Sequence, residues 1–260
     1  MIQFIIIRPG EENSVHKTRQ AVTHQKRIVI AIDGLAGTGK STLARLIADR
    51  LGFQHLNTGL IYRAVAFIMS ERGLSISEDQ ALVAAIQQAG IRIVKDKVDR
   101  PQVRLGDGRT FYYEDLLAEE VSKHASQVAA HESVRTALLE LQREAYPGLP
   151  LVAEGRDMGT VVFPDAQVKF FIEVPASIRA ERRLAQLREQ GELCDVADED
   201  AKKHIEFEIL ERDIRDQKRA IAPCIPAADA VLFDNSKLSL TQAVTELYHR
   251  ASARLTKSAS

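Results

Sequence analysis

Cysteine and tryptophan are scarce in this chain of 260 residues, which has two cysteines and no tryptophan. Cys194 and Cys224 lie far apart and have neither CxxC nor Cys/His spacing. We therefore expect neither a disulfide nor a zinc site, and a reducing, cytoplasmic location. No apolar run approaches the roughly 20 residues that span a membrane. The short run at residues 2–7 has no basic segment before it, so we expect neither a membrane anchor nor a signal peptide.

An excess of charge of either sign is also lacking. The 35 Lys and Arg residues nearly balance the 36 Asp and Glu residues, and the formal net charge is −1. No global positive field attracts nucleic acid, so we expect no nucleic-acid partner and only a local anion site. The hydrophobic content of 45% and charged content of 27% are typical of a globular domain.

Short apolar runs alternate with amphipathic segments along most of the chain. The runs predicted to be buried strands are residues 28–32, 53–56, 149–153, 168–174 and 230–233. Helical spacing is found at residues 58–72, 78–88, 177–190 and 240–255. This alternation predicts an α/β fold with a mostly parallel β-sheet core flanked by helices on both faces.

Two stretches interrupt the alternation. The first has strand-like runs at 102–105 and 110–113 around a Gly-Asp-Gly turn, which predicts a hairpin, and helical patterns follow at 114–130 and 132–145. The second opens as an acidic loop at 195–200 and continues as a charged helix, which is typical of a hinged cover over a site. We expect an N-terminal extension at 1–27 and a domain at 28–260, with a core (28–89 and 149–255), an α+β insertion (about 90–148) and a helical lid (about 191–222).

Residues 34–41 match the phosphate-binding pattern G-x-x-x-x-G-K-[ST]. A predicted strand precedes them, and a helix that Gly52 is placed to end follows. In this context glycine N–H groups turn inward around a β-phosphate, and the helix N-terminus adds the positive end of its dipole. Lys40 is expected to reach the β- and γ-phosphates, and the Ser41 hydroxyl to ligate Mg²⁺.

Charged residues follow the strand predicted at 149–153. The carboxyl ends of parallel strands face the ligand crevice of an open sheet. We therefore expect Glu154 to help hold Mg²⁺ or its waters, Arg156 to contact a phosphate, and Asp157 to accept a hydrogen bond. The alternative is a charged turn with an Arg–Asp pair of its own.

Thr58 is expected to cap the helix after the second strand, with Arg63 in its first two turns. A substrate phosphate would then meet the helix N-terminus and a guanidinium together. The alternative is a capped helix with a solvated arginine.

Four charged residues share one predicted helix face, because Arg212, Arg215, Asp216 and Arg219 are spaced i, i+3, i+4 and i+7. Arginines on a closing lid stabilise the charge that phosphoryl transfer spreads over oxygens. The alternative is a solvated face held by i,i+4 ion pairs.

These motifs and their order resemble those of the bacterial cytidylate kinases, from about Arg27 to Leu255. The most specific blocks are G-R-D-x-G-T-V-V-F-P at 155–164 and E-R-D-x-R-D-x-x-R-x-x-A-P at 211–223. The resemblance implies a P-loop nucleoside-monophosphate kinase fold with an inserted NMP-binding subdomain and a mobile lid. It also implies that ATP, with Mg²⁺, phosphorylates CMP and dCMP. We expect the enzyme to be a monomer.

The resemblance also implies roles for individual residues. At the acceptor it implies that Ser126, Arg135 and Asp157 contact the base and that Arg63 and Arg156 contact the phosphate. It implies further that Arg212 and Asp216 approach the ribose and that Arg219 lies at the base and phosphate region. Thr58 is also expected to bind the substrate. The implied catalytic set is Lys40, Arg156, Arg212, Arg215 and Arg219. The implied ATP site is Gly34, Leu35, Ala36, Gly37, Thr38, Gly39, Lys40, Ser41 and Thr42.

Two positions depart from the family pattern: Asn57 stands where an acid is common, and Leu117 where an arginine is common. Two other functions remain open from the residues alone. One is a P-loop kinase for AMP, UMP or shikimate, which the base-facing set argues against. The other is a non-catalytic nucleotide switch, which would tolerate loss of Lys40 and the lid arginines.

Overall fold

The computed structural model describes residues 27–97, 100–112, 114–116, 119–189, 191 and 197–258. Within them the elements are, in chain order, β1 (Val29–Gly34), α1 (Lys40–Leu51), β2 (Gln54–Asn57), α2 (Thr58–Glu71), α3 (Asp79–Ala89), β3 (Arg92–Lys95), β4 (Pro101–Arg104), β5 (Thr110–Phe111), α4 (Glu119–Val128), α5 (Glu132–Arg143), β6 (Leu151–Gly155), β7 (Val168–Glu173), α6 (Ala176–Glu189), α7 (Asp198–Lys218), β8 (Val231–Asp234) and α8 (Leu240–Ser258). A 3-10 turn lies at Glu114–Leu116 and a π-helical turn at Met158–Val162.

The main sheet has five parallel strands in the order β2-β6-β1-β7-β8, which confirms the predicted parallel core. Every residue of β1 is buried, as its continuous apolar run indicates. In the register, Ile32 lies between Glu154 and Phe170. Because the strands are parallel, their carboxyl ends meet at one edge, where the loop after β1 lies beside the turn after β6.

Alternate residues of β1 enter two hydrophobic clusters on the two faces of the sheet. Ile30 and Ile32 pack with apolar residues of α1 and α8, including Leu247. Val29 and Ala31 belong to a larger cluster that includes residues of α2, α3 and α5. Helices therefore cover both faces, as predicted.

The segment from β3 to α5 carries a second, antiparallel sheet in the order β3-β4-β5. Val103 lies opposite Phe111, which confirms the predicted hairpin, although residue 113 is outside the described residues. Val103 is fully buried and belongs to the cluster that contains α2. This segment thus shares a hydrophobic core with the main sheet.

Two predicted helix boundaries are wrong. The helix expected from residue 114 starts as a separate 3-10 turn, because the Asp115 carboxylate accepts a hydrogen bond from the N–H of Tyr112 at 2.8 Å and closes a tight turn. The acidic residues from Asp198 onward, expected in a loop, form the first turn of α7, where the helix dipole favours negative charge. Residues 195 and 196 lie outside the described residues.

No helix in the described part of the chain is both long enough and apolar enough to cross a membrane.

Candidate active site

The phosphate-binding loop joins β1 to α1 in a tight turn. Gly39 caps α1 with a left-handed φ of 81°, and a Cβ on Gly34 would lie 2.6 Å from the carbonyl oxygen of Ile172. The loop therefore requires glycine at both positions. Lys40 folds back over the loop, and its Nζ donates to the carbonyl of Leu35 at 3.2 Å. The strand–loop–helix context expected for this motif is present.

Burial changes the proton affinity of two groups at the loop. Burial and, to a smaller extent, the charge of Arg156 lower the pKa of Lys40 to about 7, against the opposing charge of Glu154. Burial raises the pKa of Asp33 to about 7, although the N–H groups of Met158 and Gly159 each donate to the Asp33 carboxylate at 2.8 Å. An anion bound at the loop would restore the charged form of Lys40.

Asp216 is the centre of a buried hydrogen-bonded cluster beside the loop. One carboxylate oxygen accepts from Nε of Arg156 at 2.9 Å, and the other from the hydroxyl of Ser126 at 3.1 Å. Burial raises the pKa of Asp216, but the charges of Arg156 and Arg212 outweigh it and hold the pKa below its usual value. The cluster joins residues of α4, of the turn after β6 and of α7, which are distant in sequence.

Asp157 anchors a second group of charges next to this cluster. Its carboxylate accepts from a guanidinium nitrogen of Arg135, and Nη2 of Arg219 lies 3.7 Å from its other oxygen. The Arg135 guanidinium lies 5.7 Å from the centre of the Tyr62 ring. Asp157 therefore accepts a hydrogen bond, as expected, and the alternative of an Arg–Asp pair within the turn is wrong, because Arg156 pairs with α7 instead.

The site has unsatisfied capacity for an anion. Nη2 of Arg219 is buried and has no hydrogen-bond acceptor among the described residues. Burial and the neighbouring charge of Arg135 lower the pKa of Arg219. Its Nε donates to the carbonyl of Ala222 and its Nη1 to that of Ala129 at 3.4 Å, so only Nη2 lacks an acceptor within the described part of the chain. A buried N–H left without an acceptor is costly, so the arrangement favours a phosphate or another acceptor-rich ligand here.

Thr58 and Arg63 hold the start of α2 in place. The side chain of Asn57, not Thr58, caps this helix by accepting from the N–H of Leu60 at 3.2 Å, so the expected cap is wrong. Thr58 is the first helical residue, and its hydroxyl donates to the carbonyl of Glu154 at 2.8 Å. Asn57 takes the cap because it ends β2 in an extended conformation, which a cap residue needs.

Arg63 is buried and is not a solvated arginine. Its Nη1 donates to the carbonyl of Leu116 at 2.8 Å and to the hydroxyl of Ser122. Arg63 therefore ties α2 to the segment that precedes and begins α4.

The expected four-residue face on α7 is only partly formed. The helix ends at Lys218, and Arg219 has extended backbone angles, so Arg219 reaches the site from the following turn. The N–H of Cys224 donates to the carbonyl of Asp216 at 2.8 Å, which folds this turn back onto α7. Arg215 is exposed, and its side chain makes no hydrogen bond or ion pair with the described residues. Arg212 is half-buried and lies close enough to influence Lys40 and Asp216.

Oxygen ligands for a divalent cation are available near the loop. Oε1 of Glu154 is buried, and within the described residues no donor hydrogen-bonds to it. Nε2 of His55 lies 3.9 Å from it, and burial lowers the pKa of His55, which favours the neutral imidazole. Ser41, which carries a hydroxyl, is the second residue of α1. These are ligand types that Mg²⁺ accepts, with water and phosphate oxygens completing its coordination. The described residues contain no group of three His, Cys, Asp or Glu that could hold a metal by themselves.

The sequence did not predict a role in the site for several residues. Asp33, Tyr62, Arg179 and Asp213 are buried among its elements. An acid at the end of β1, directly before the loop, was an available signal for Asp33. Asp213 sits inside a charged helical run, where the sequence alone does not distinguish a buried acid from an exposed one.

A phosphate-binding loop at the end of β1, facing a cluster of arginines and acids on neighbouring strands and helices, defines a P-loop phosphotransferase of the nucleoside-monophosphate kinase type. Comparison with known proteins identifies its family. The family model described as cytidylate kinase matches residues 30–253, and the chain belongs to that family.

Curated relatives agree. The chain is 43% identical over 218 residues to the cytidylate kinase of Methylococcus capsulatus, covering 83% of this chain and 93% of that protein. It is 42% identical over 220 residues to the cytidylate kinase of Dichelobacter nodosus, covering 85% and 94%. It is 37% identical over 218 residues to that of Haemophilus ducreyi, covering 84% and 93%. The expected resemblance is therefore confirmed.

Proposed function

We propose that this protein transfers a phosphoryl group from ATP to CMP and dCMP, giving ADP with CDP and dCDP, as a cytoplasmic monomer. The observation that carries the proposal is the buried cluster around Asp216 and Asp157 beside a complete phosphate-binding loop. Membership of the cytidylate kinase family supports the same reaction. The two sites lie at one edge of the sheet, where a donor and an acceptor can meet.

The donor site is assigned to the loop. Backbone N–H groups from Gly34 to Thr42 and the Lys40 ammonium would hold the phosphates of ATP. An open cleft of about 370 Å³ beside the loop, lined by residues that include Leu35, Pro175 and Asp234, offers space for the rest of the nucleotide. Ser41, with Glu154 through water, would hold Mg²⁺. When bound, the cation neutralises charge on the phosphate oxygens.

The acceptor site is assigned to the cluster. Ser126, Arg135 and Asp157 would bind the cytosine base, since the amino group needs an acceptor and N3 a donor. Arg63 and Arg156 would bind the acceptor phosphate, and Arg212, Asp216 and Arg219 the ribose and the region between base and phosphate. Support comes from the burial of Ser126, Arg135, Asp157 and Asp216. It comes also from the hydrogen bonds that Asp216 accepts from Ser126 and Arg156 and that Asp157 accepts from Arg135.

The lid, at about residues 191–222, would close over both nucleotides. It carries Arg212, Asp216 and Arg219 and exposes Arg215, which a closing movement would bring to the transferring phosphoryl group. Catalysis would consist of positioning and charge stabilisation. The acceptor is already an anionic phosphate oxygen, so no general base is required.

A coupled assay for ADP production with a panel of acceptors tests the function. We expect CMP and dCMP to be phosphorylated, with UMP, AMP and shikimate poorer by at least an order of magnitude. A better rate with AMP or shikimate would assign another small-substrate kinase. ATP binding without transfer to any acceptor would assign a nucleotide switch.

A further inference from the structure

Arg179, in the first turns of α6, links three parts of the structure around the donor loop. It is only 3% exposed. Its Nε donates to the carbonyl of Val174 at 2.9 Å, and Nη1 donates to the carbonyl of Ala36 in the loop at 2.8 Å. Its two terminal nitrogens also bind the two carboxylate oxygens of Asp213 on α7, at 3.1 and 2.5 Å. One guanidinium thus contacts the residue that follows β7, the loop and the lid helix.

The bond to Ala36 fixes the direction of a loop amide. In a trans peptide the carbonyl and the following N–H point in opposite directions. A carbonyl of Ala36 that faces Arg179 therefore turns the N–H of Gly37 away from the Arg179 guanidinium. The same logic applies two residues on, where Nδ2 of Asn235 donates to the carbonyl of Thr38 at 3.1 Å and orients the N–H of Gly39.

The bidentate ion pair between Arg179 and Asp213 links the orientation of the Gly37 N–H to the position of the lid helix α7. Asp213 lies one helical turn before Asp216, the centre of the acceptor cluster, and on the same helix. A planar guanidinium that binds a carboxylate through two nitrogens has little freedom to rotate. A displacement of α7 must therefore move Arg179, and with it the Ala36–Gly37 peptide.

We propose that Arg179 is a positioning residue that sets the orientation of the Gly37 N–H in the donor loop and couples it to α7 through Asp213. The proposal rests on the assignment of the loop as the ATP site. Through Arg179, a movement of the lid helix would change the binding of the donor phosphates without any contact between the lid and those phosphates.

The test places a substitution on the lid helix and measures binding at the loop. Asp213→Asn keeps the shape of the side chain but weakens its hold on Arg179. The matched control is Asp198→Asn, because Asp198 is also on α7 and also pairs with an arginine of α6, Arg188, but is exposed and distant in sequence from the cluster. The affinity for a non-hydrolysable ATP analogue is measured by calorimetry, together with amide exchange at Gly37, kcat, both KM values and Tm.

We expect Asp213→Asn and Arg179→Lys each to weaken ATP-analogue binding and raise the KM for ATP about tenfold or more, with a smaller change in the KM for CMP. Exchange of the Gly37 amide should accelerate in both variants, and Asp198→Asn should match the unmodified protein. The double variant should be no worse than the poorer single one, because both changes break the same link.

Other outcomes would overturn the proposal. If Arg179→Lys weakens ATP binding but Asp213→Asn does not, Arg179 contacts the nucleotide without any coupling to α7. If both variants lower only Tm, the pair is structural. Should Asp213→Asn fail to fold, Asp213→Glu, which shifts the carboxylate by one methylene, takes its place. Because analogue binding needs no turnover, a failure to phosphorylate CMP would count against the proposed function and not against this coupling.

Discussion

Lys40 is buried at the loop with a backbone carbonyl as its hydrogen-bond acceptor. Its positive charge stabilises the transition state most, because the phosphate oxygens become more negative during transfer. We expect Lys40→Ala to lower kcat by at least about two to three orders of magnitude while the far-UV circular dichroism stays unchanged. Steady-state kinetics with saturating CMP measures kcat. A folded variant with near-normal kcat would show that the loop is not the ATP site.

The same burial makes the free protein's stability depend on pH. Lys40 has a pKa of about 7 when folded and 10.5 as a reference, so between these values the unfolded chain binds the extra proton. The contribution of Lys40 to stability is therefore least favourable below pH 7 and improves as the pH rises toward 10.5.

We therefore expect Lys40→Met to have a higher Tm than the unmodified protein at pH 6, with the difference shrinking toward pH 10. Calorimetry in a phosphate-free buffer measures this, with Lys237→Met at an exposed lysine as the control. A difference in Tm that stays constant over this range would show that Lys40 is not desolvated.

Asp157 is expected to decide between cytosine and uracil. Asp157→Asn adds an amide N–H₂ that can donate to the carbonyl of uracil, which the carboxylate cannot do. The ratio of kcat/KM for CMP to that for UMP should fall by about tenfold or more, since a mismatched buried polar group costs about 1–3 kcal/mol. If the ratio is unchanged in a variant with normal Tm, residues other than Asp157 distinguish cytosine from uracil.

At the scale of elements, the lid helix α7 shows what sequence patterns can and cannot predict. The presence of this helix and its high charge were predictable, because both depend on local spacing, but its two ends were not. Which of its charges are buried was not predictable, because the partners of Asp213 and Asp216 come from other elements. Arg179 on α6 pairs with Asp213, while Arg156 in the turn after β6 and Ser126 on α4 bind Asp216. The exit of Arg219 from the helix likewise depends on the Cys224–Asp216 backbone bond.

The strands of the main sheet were predictable because their signal lies within each strand and needs no partner from elsewhere in the chain. Parallel strands buried on both faces need continuous apolar runs, and β1, β6 and β7 have them. The loop could be located for a related reason, since its glycines and lysine are fixed by the phosphate chemistry. The partners of Asp216 could not be predicted, because no local rule brings Ser126 and Arg156 together.

Closure of the lid is the prediction that belongs to this scale. Amide exchange in residues 200–221 should slow when CMP and a non-hydrolysable ATP analogue are both present, and less with either alone, because α7 carries groups assigned to the acceptor and is tied to the donor loop. Exchange in β6 should stay unchanged and serves as an internal reference. Equal protection with and without ligands would mean that α7 is a fixed part of the core.

At the scale of the whole molecule, the antiparallel sheet and the main sheet share a hydrophobic cluster. Leu138 on α5 is fully buried in it. We expect Leu138→Ala to cost about 2–5 kcal/mol and to lower the midpoint of one common unfolding transition. Denaturant unfolding followed by amide exchange in both β4 and α2 measures this. Separate midpoints for the two regions would show that the segment from β3 to α5 unfolds independently.

The pair of backbone bonds from Met158 and Gly159 to Asp33 limits how this enzyme can change during evolution or redesign. Through these two hydrogen bonds, the carboxylate of Asp33 joins the turn assigned to base recognition to β1, the strand that leads into the donor loop. A Cβ on Gly159 would also lie 3.1 Å from Lys169 and 3.4 Å from Asp33. New nucleobase preferences are therefore more accessible by replacing side chains at 126, 135 and 157 than by exchanging the turn itself, since a foreign turn would misalign the donor.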